Sequence, residues 1–597
     1  VQGGRELQVR KLALLLLSAA IWGACSPGGD QAQTSSVEYR PEELGAVDVK
    51  LDEQIAEEIT YFDPKKDADL GAGEALNSAA GKALSSIDKA VASGAEISEF
   101  VADAATLTEL RPNGLEIAWS RDGITAHQGT PSPVSDTGPD AVASAWSEMR
   151  AALGETVDMI KFKIVRSDVI GTEGTTTLLY LGAGRSATKV VQQNGKWTAT
   201  WDVSKGPDKP VLKSLTVQEF EEISRARPLL REVTRVAFKD VESFEQLEHG
   251  FERWWGGLDF SMGGTLAGHY GFAFGDVNND GLDDLYVCQP GGLPNRLYLR
   301  TGAGTLQDIS EQSGADLLND TASALILDLD NDGNQDLVVG TVSHVLFMKG
   351  DGTGKFEPVA RYRVIMLTSM AAADYDRDGF IDIYLCEYTS SGQANSTGAA
   401  IFDSDQGLPN TLLKNDGAFR FRNVTNEVGL NVNNNRQTFA AAWEDFDNDG
   451  DQDLYVANDF GPNQLYVNEG ARFVERAEEA GVQDQAAGMG ASWGDYNRDG
   501  LMDLYVTNMW SSAGNRVTYQ RAFKPTGGFK RNLQYFARGN SLFENRGDGS
   551  FRDVTMETRT EMGRFAWGAH FGDLNNDGWL DIISPNGFIT NTDADDL

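Results

Sequence analysis

Nine residues in the pattern Asp-x-Asx-x-Asp-Gly-x-x-Asp recur six times in the second half of this 597-residue chain. They read DVNNDGLDD at 276–284, DLDNDGNQD at 328–336, DYDRDGFID at 374–382, DFDNDGDQD at 445–453, DYNRDGLMD at 495–503 and DLNNDGWLD at 573–581. Chance does not supply six copies of a pattern with five fixed positions, and such a repeat demands a repeated architecture. Side chains at positions 1, 3 and 5 of a tight loop converge on one point. Glycine at position 6 allows the sharp reversal, position 7 can turn its carbonyl inward, and position 9 returns an aspartate. That is an oxygen cage of the kind calcium takes. A plain Asp-Gly turn would explain the glycine but not the upstream Asx residues.

The predicted calcium ligands are therefore Asp276, Asn278, Asp280, Leu282 and Asp284 in the first loop, and Asp328, Asp330, Asp332, Asn334 and Asp336 in the second. The third supplies Asp374, Asp376, Asp378, Phe380 and Asp382, and the fourth Asp445, Asp447, Asp449, Asp451 and Asp453. Asp495, Asn497, Asp499, Leu501 and Asp503 form the fifth, and Asp573, Asn575, Asp577, Trp579 and Asp581 the sixth. The fourth loop, with Asp451 adding field, is expected to bind most tightly. The fifth should be weakest, because Asn497 replaces a carboxylate and Arg498 brings a cation alongside.

An EF-hand places its last carboxylate at position 12 and continues as helix. Here apolar β-formers follow position 9 at once (LYV, LVV, IYL, LYV, LYV and II), so each loop joins two strands. Small and aromatic residues precede the loops, as in GFAFGD at 271–276 and GASWGD at 490–495. A third strand such as NQLYV at 463–467 and a fourth such as GDGSFRDVT at 547–555 follow. Loops lie 52, 46, 71, 50 and 78 residues apart, and four short strands in roughly 50 residues make one propeller blade.

These repeats resemble the FG-GAP/VCBS family, whose calcium-loop blades also build integrin α-subunit propellers. An export signal followed by such blades most resembles cartilage acidic protein and its bacterial relatives. The resemblance covers residues 237–597. It implies a mainly β chain: a calcium-loop β-propeller, with seven blades expected and the last incomplete, preceded by a smaller α+β domain. Relatives usually continue into an ASPIC/UnbV domain, which is not found before Leu597, so truncation is expected. FKDVE at 238–242 copies FRDVT at 551–555 and is expected to donate a fourth strand to close the ring.

Ahead of the repeats, basic residues precede the short apolar run LALLLLSAAIW at 12–22, too short to span a bilayer. Gly23, Ala24 and Cys25 follow, resembling a bacterial lipobox with Trp22 where an aliphatic is usual. Residues 1–25 thus read as a signal peptide with a lipid on Cys25. Residues 26–94 read as a polar tether leading into helix from about residue 47, and 95–235 as an α+β domain loosely like the NTF2/cystatin folds. In that domain, a hairpin turns at Arg121-Asp122-Gly123 and a helix spans 140–153. Strands are expected at 158–165, 176–182, 187–193 and 197–203, with turns at 171–174 and Asn194-Gly195. Thr216-Val217-Gln218-Glu219 reads as a capping box opening another helix.

With 89 acidic against 51 basic side chains, the formal charge is −38, which excludes nucleic-acid backbones as partners. Five histidines, at 127, 249, 269, 344 and 570, assemble no catalytic set. Cys288 and Cys386 are expected to be buried thiols. Long intervals after the third and fifth loops mark insertions at 388–408 and 509–538. The second concentrates aromatic and basic residues, so Trp510, Arg516, Tyr519, Lys524, Phe529 and Arg531 are predicted to contact a partner. The leading expectation is a secreted or outer-membrane, lipid-anchored calcium propeller that binds an extracellular protein or glycan. The resemblance leaves a polysaccharide lyase or hydrolase as the alternative.

Overall fold

Two β architectures follow one another in the computed structural model, which describes residues 68–248, 271–388, 404–520, 523 and 529–586. The signal segment, Cys25 and the tether lie outside the described residues.

The first is a seven-stranded sheet: β1 Val101–Leu107, β2 Glu116–Arg121, β3 Ile124–Gln128, β4 Thr156–Ile170, β5 Glu173–Arg185, β6 Val190–Asp202 and β7 Val211–Arg225. Its order is β2-β3-β7-β6-β5-β4, with β1 parallel to β7. Helix α1 (Ala68–Ser93) sets Leu76, Ala80, Leu84 and Ile87 on one stripe, and α2 (Pro139–Ala152) adds Val142, Trp146 and Met149. Both stripes pack on one face of the sheet, where Tyr180 stacks on Trp197 at 4.7 Å. Burying each large side chain contributes about 1.5–3 kcal/mol, so this face alone commits the domain to its layers.

Three expectations fail here. Asn194-Gly195 is no turn: both residues pair within the unbroken 13-residue β6. A Cβ on Gly195 would meet the Trp197 indole nitrogen at 2.6 Å, so the glycine makes room for a core ring. Thr216–Glu219 opens no helix. It lies in β7, where Leu212, Leu215, Val217 and Phe220 are buried and three neighbouring strands outbid a local cap. Residues 238–242 form turns after the short helix Thr234–Ala237, not a strand. Phe238 is instead held by ring contacts to Phe244 and Tyr298, at 4.7 and 5.1 Å.

The second architecture is a file of blades. Five consecutive antiparallel sheets of four strands are each ordered as the chain runs, and a two-stranded sheet follows, His570–Gly572 with Asp581–Ile583. Blade four is typical: Gln437–Glu444, Asp453–Asp459, Gln464–Asn468 and Phe473–Glu475. First strands of neighbouring blades pack side by side, the arrangement of a propeller. The cores lie between blades. Phe446, Tyr455 and Leu465 of blade four meet Trp493, Leu504 and Phe551 of blade five. Cys288 and Cys386 are free and buried there, and burial pushes both thiols up to about 12.

Candidate functional site

All six aspartate loops join the first strand of a blade to its second. Each folds alike for reasons local to the motif. Position 1 accepts the N–H of position 6, as from Gly281 to Asp276 at 2.7 Å and from Gly450 to Asp445 at 2.9 Å. Position 5 accepts the N–H of position 7, as from Phe380 to Asp378 at 3.0 Å. Position 6 is always glycine at φ between 81° and 90°, a region that penalises any Cβ. Position 4 is also left-handed, and asparagine suits it.

Position 9 is buried at the root of the loop in blades one to five and half-buried in the sixth loop. In blades one to five one of its oxygens accepts an N–H from the third strand: Arg300, Gly350, Asn415, Asn468 and Asn545 donate to Asp284, Asp336, Asp382, Asp453 and Asp503. Burial pushes these carboxyls up, Asp336 to about 6, Asp382 and Asp503 to about 7, and Asp453 to about 8. A nearby cation would offset that cost.

Carboxylate oxygens gather within 4.8 Å of one another in three loops: Asp328, Asp330 and Asp332; Asp374, Asp376 and Asp382; Asp445, Asp447 and Asp453. Asp330, Asp376, Asp445 and Asp453 each keep one buried oxygen with no hydrogen-bond partner. Buried acceptors are ordinarily satisfied, and an all-oxygen donor set of this kind fits a hard divalent cation.

Two features escaped the sequence reading. The first is Lys349 and Lys414. Lys349 binds Asp330 and Asp332, the latter at 2.7 Å. Lys414 binds Asp376 and Asp378, the latter at 2.6 Å. Each lysine immediately precedes the third-strand residue that donates to position 9, and Leu299, Val467 and Glu544 stand there in blades one, four and five. The second is a belt between loops. Position 4 reaches the next loop from Asn279 to Asn334, Asn331 to the Gly379 carbonyl, Arg377 to Asp451, and Arg498 to the Trp579 ring. Arg498 thus faces its neighbour's indole at 5.1 Å, outside its own cage.

The insertion at 509–538 leaves blade five between its second and third strands, away from the loops. It forms helices α3 (Ser512–Tyr519) and α4 (Phe529–Phe536). Helix α3 packs against β4, and Arg516 is buried in an ion pair with Glu74 of α1, at 2.9 Å. Trp510 is buried as well. Arg516 is therefore committed to bracketing the two architectures together, whereas Trp510, though mostly buried, lines the cleft described next. Lys524 lies outside the described residues. Tyr519, with Arg166 over its ring at 4.3 Å, and Arg531 line a cleft of about 1880 Å³.

One wall of that cleft is the sheet face turned away from the helices. Register sets Lys161, Leu181, Asn194 and Glu221 in one row across it, and Lys163, Leu179, Lys196 and Glu219 in the next. The other wall brings Arg531, Arg538, Arg559 and Arg564, with Met556 and Met562 exposed among them. Arg559 faces Glu219 at 3.6 Å and Arg538 binds Asp553 at 2.7 Å. The cleft thus holds eight cationic and four anionic side chains, the reverse of the chain's balance.

Four segments, residues 276–339, 328–385, 445–506 and 533–584, match the FG-GAP-like repeat, and all six loops fall within them. Cartilage acidic protein 1 of Xenopus tropicalis is 30% identical over 125 residues, 20% of this chain and 19% of that protein. The chain thus aligns with about a fifth of this curated relative. A solved Agrocybe aegerita lectin, described by its recognition of non-reducing terminal N-acetylglucosamine, overlaps 54% of this chain and 76% of its own at 16% identity and a TM-score of 0.32. Among the described residues, no helix is long and apolar enough to cross a membrane. The chain carries FG-GAP-like repeats folded as propeller-like blades.

Proposed function

We propose that this protein is an exported calcium-binding propeller that captures an extracellular protein or glycan, with the blades as scaffold and the cleft as the recognition site. The observation that carries the reading is the cleft's reversed charge. A chain of −38 repels most polyanions, yet here arginines and lysines from both architectures converge on one open groove. Arginine forks suit carboxylate or sulfate groups, and exposed methionines adapt to apolar partners. The groove exceeds the roughly 300–1,000 Å³ of small-molecule sites, so a polymer or a protein segment is the fitting occupant. Calcium in the loops would hold the blade faces rigid beneath it.

The test uses the purified chain with calcium present. Polygalacturonate, heparin, an acidic Glu/Tyr copolypeptide and neutral dextran are compared by biolayer interferometry. At least one acidic probe should bind, weaken with salt, and lose roughly tenfold or more in the double variant Lys161→Glu, Arg531→Glu. Those two side chains are exposed and make no ion pair or hydrogen bond within the described residues, so reversing them should leave the fold intact. Equal binding by wild type and variant would move the site elsewhere, and no binding beyond dextran would remove the cleft's role.

A further inference from the structure

Six copies of one motif invite the assumption of six equivalent metal sites. The third strands argue otherwise. In blades two and three, the ammonium groups of Lys349 and Lys414 lie on the carboxylates of positions 3 and 5, the groups that would have to turn toward an ion. Lys414 is held firmly, with its side chain only 11% exposed. Blade four has the same four aspartates with Val467 in the lysine's place. Among the described residues no ammonium reaches its positions 3 and 5, and its Asp453 keeps a buried oxygen unmatched where Asp336 and Asp382 have both oxygens hydrogen-bonded.

We infer that Lys349 and Lys414 are built-in counter-ions that close loops 328–336 and 374–382 to calcium, whereas loop 445–453 takes it up. The reason is electrostatic. An ammonium and a divalent ion cannot share positions 3 and 5 without strong repulsion at these separations. Displacing the lysine would cost its two charge-assisted hydrogen bonds and, in blade three, strand the mostly buried Lys414 ammonium. The tethered ammonium is present at any calcium concentration, so blades two and three keep their loops folded where calcium is scarce. The expected order of affinities changes accordingly: the lysine-filled loops, not loop 495–503, are the weakest.

This inference rests on the calcium reading, and stoichiometry separates the two. Native mass spectrometry and equilibrium dialysis count calcium ions on the full chain. The double variant Lys349→Met, Lys414→Met should bind two more ions than wild type, and its melting temperature should fall in chelator and recover with calcium. The converse variant Val467→Lys should bind one ion fewer and melt less calcium-dependently, which keeps the idea testable if the double variant folds poorly. An unchanged count in both variants, against a wild type that binds calcium, would show that the lysines swing aside and would overturn the inference alone. A wild type that binds no calcium would overturn the calcium reading itself.

Discussion

Asp453 is the residue at which the electrostatics are sharpest. It is 1% exposed, accepts the Asn468 N–H at 2.7 Å, and keeps its second oxygen unmatched beside Asp445 and Asp447. Without a cation, an ionised group there is costly; with one, it is the anchor of the cage. Asp453→Asn should therefore change sign with conditions. In EGTA the variant should melt at or above wild type, because a buried charge is gone. In calcium it should melt lower, by the equivalent of about 1–3 kcal/mol, because a ligand is gone. Thermal melts of both proteins in both buffers decide it, and a cost of equal size in chelator and calcium would mean that Asp453 is purely structural. The aspartates were legible because each set sits within nine residues. The lysines were not: Lys349 lies 17 and 19 residues beyond the aspartates it binds, Lys414 36 and 38, and only the strand register shows their common position.

At the scale of elements, the second strands of blades three and four end on two buried acids. Glu387 accepts the Ile365 N–H at 2.7 Å and Asp459 accepts the Tyr388 hydroxyl at 2.7 Å. Burial pushes both to about 7. Folded, these groups keep their protons to about pH 7, whereas unfolded carboxyls release them near pH 4. Their stabilising effect is thus complete below about pH 4 and is lost as pH rises through 7. With saturating calcium to hold the calcium-binding loops ionised, and Asp336 and Asp382 of the lysine-filled loops titrating alongside Glu387 and Asp459, the melting temperature should fall between pH 5 and 8. Asp459→Asn, which keeps an acceptor for Tyr388 and cannot ionise, should remove part of that slope and gain about 2–4 kcal/mol on wild type at pH 8. An unaltered slope would assign the pH dependence to other groups. Elements with strong periodicity, such as α2 and the hairpin at Asp122-Gly123, were read correctly. The capping-box and Asn-Gly signals misled because both are local. The deciding forces, pairing of β7 with three strands and the space Trp197 needs, come from residues distant in sequence.

The whole molecule places its most repulsive groups on one structural feature. Twenty-one aspartates occupy positions 1, 3, 5 and 9 of the six loops, on a chain already at −38. Extracellular modules bind calcium with dissociation constants of about 10⁻⁴–10⁻³ M. At about 1 mM calcium and a constant of about 0.1 mM, each occupied loop adds about 1.4 kcal/mol. Four such loops, with two satisfied by lysine, would add about 6 kcal/mol, a sum that rivals the net stability of about 5–15 kcal/mol usual for a domain. The contribution should be cooperative, because the position-4 belt ties four of the five neighbouring loop pairs and each core is shared by two blades. Chelation should accordingly lower the melting transition of the blades as a block, with the seven-stranded domain, which carries none of these loops, retaining its own. Magnesium should restore little, since it holds its waters and demands a tighter octahedron. Salt should restore part, by screening carboxylates only a few ångströms apart less than it screens the wider surface. Calorimetry with EGTA, then with calcium, magnesium or sodium chloride added back, makes the comparison. A profile indifferent to EGTA would remove the metal from the account, and full rescue by salt would reduce the loops to charge relief without coordination.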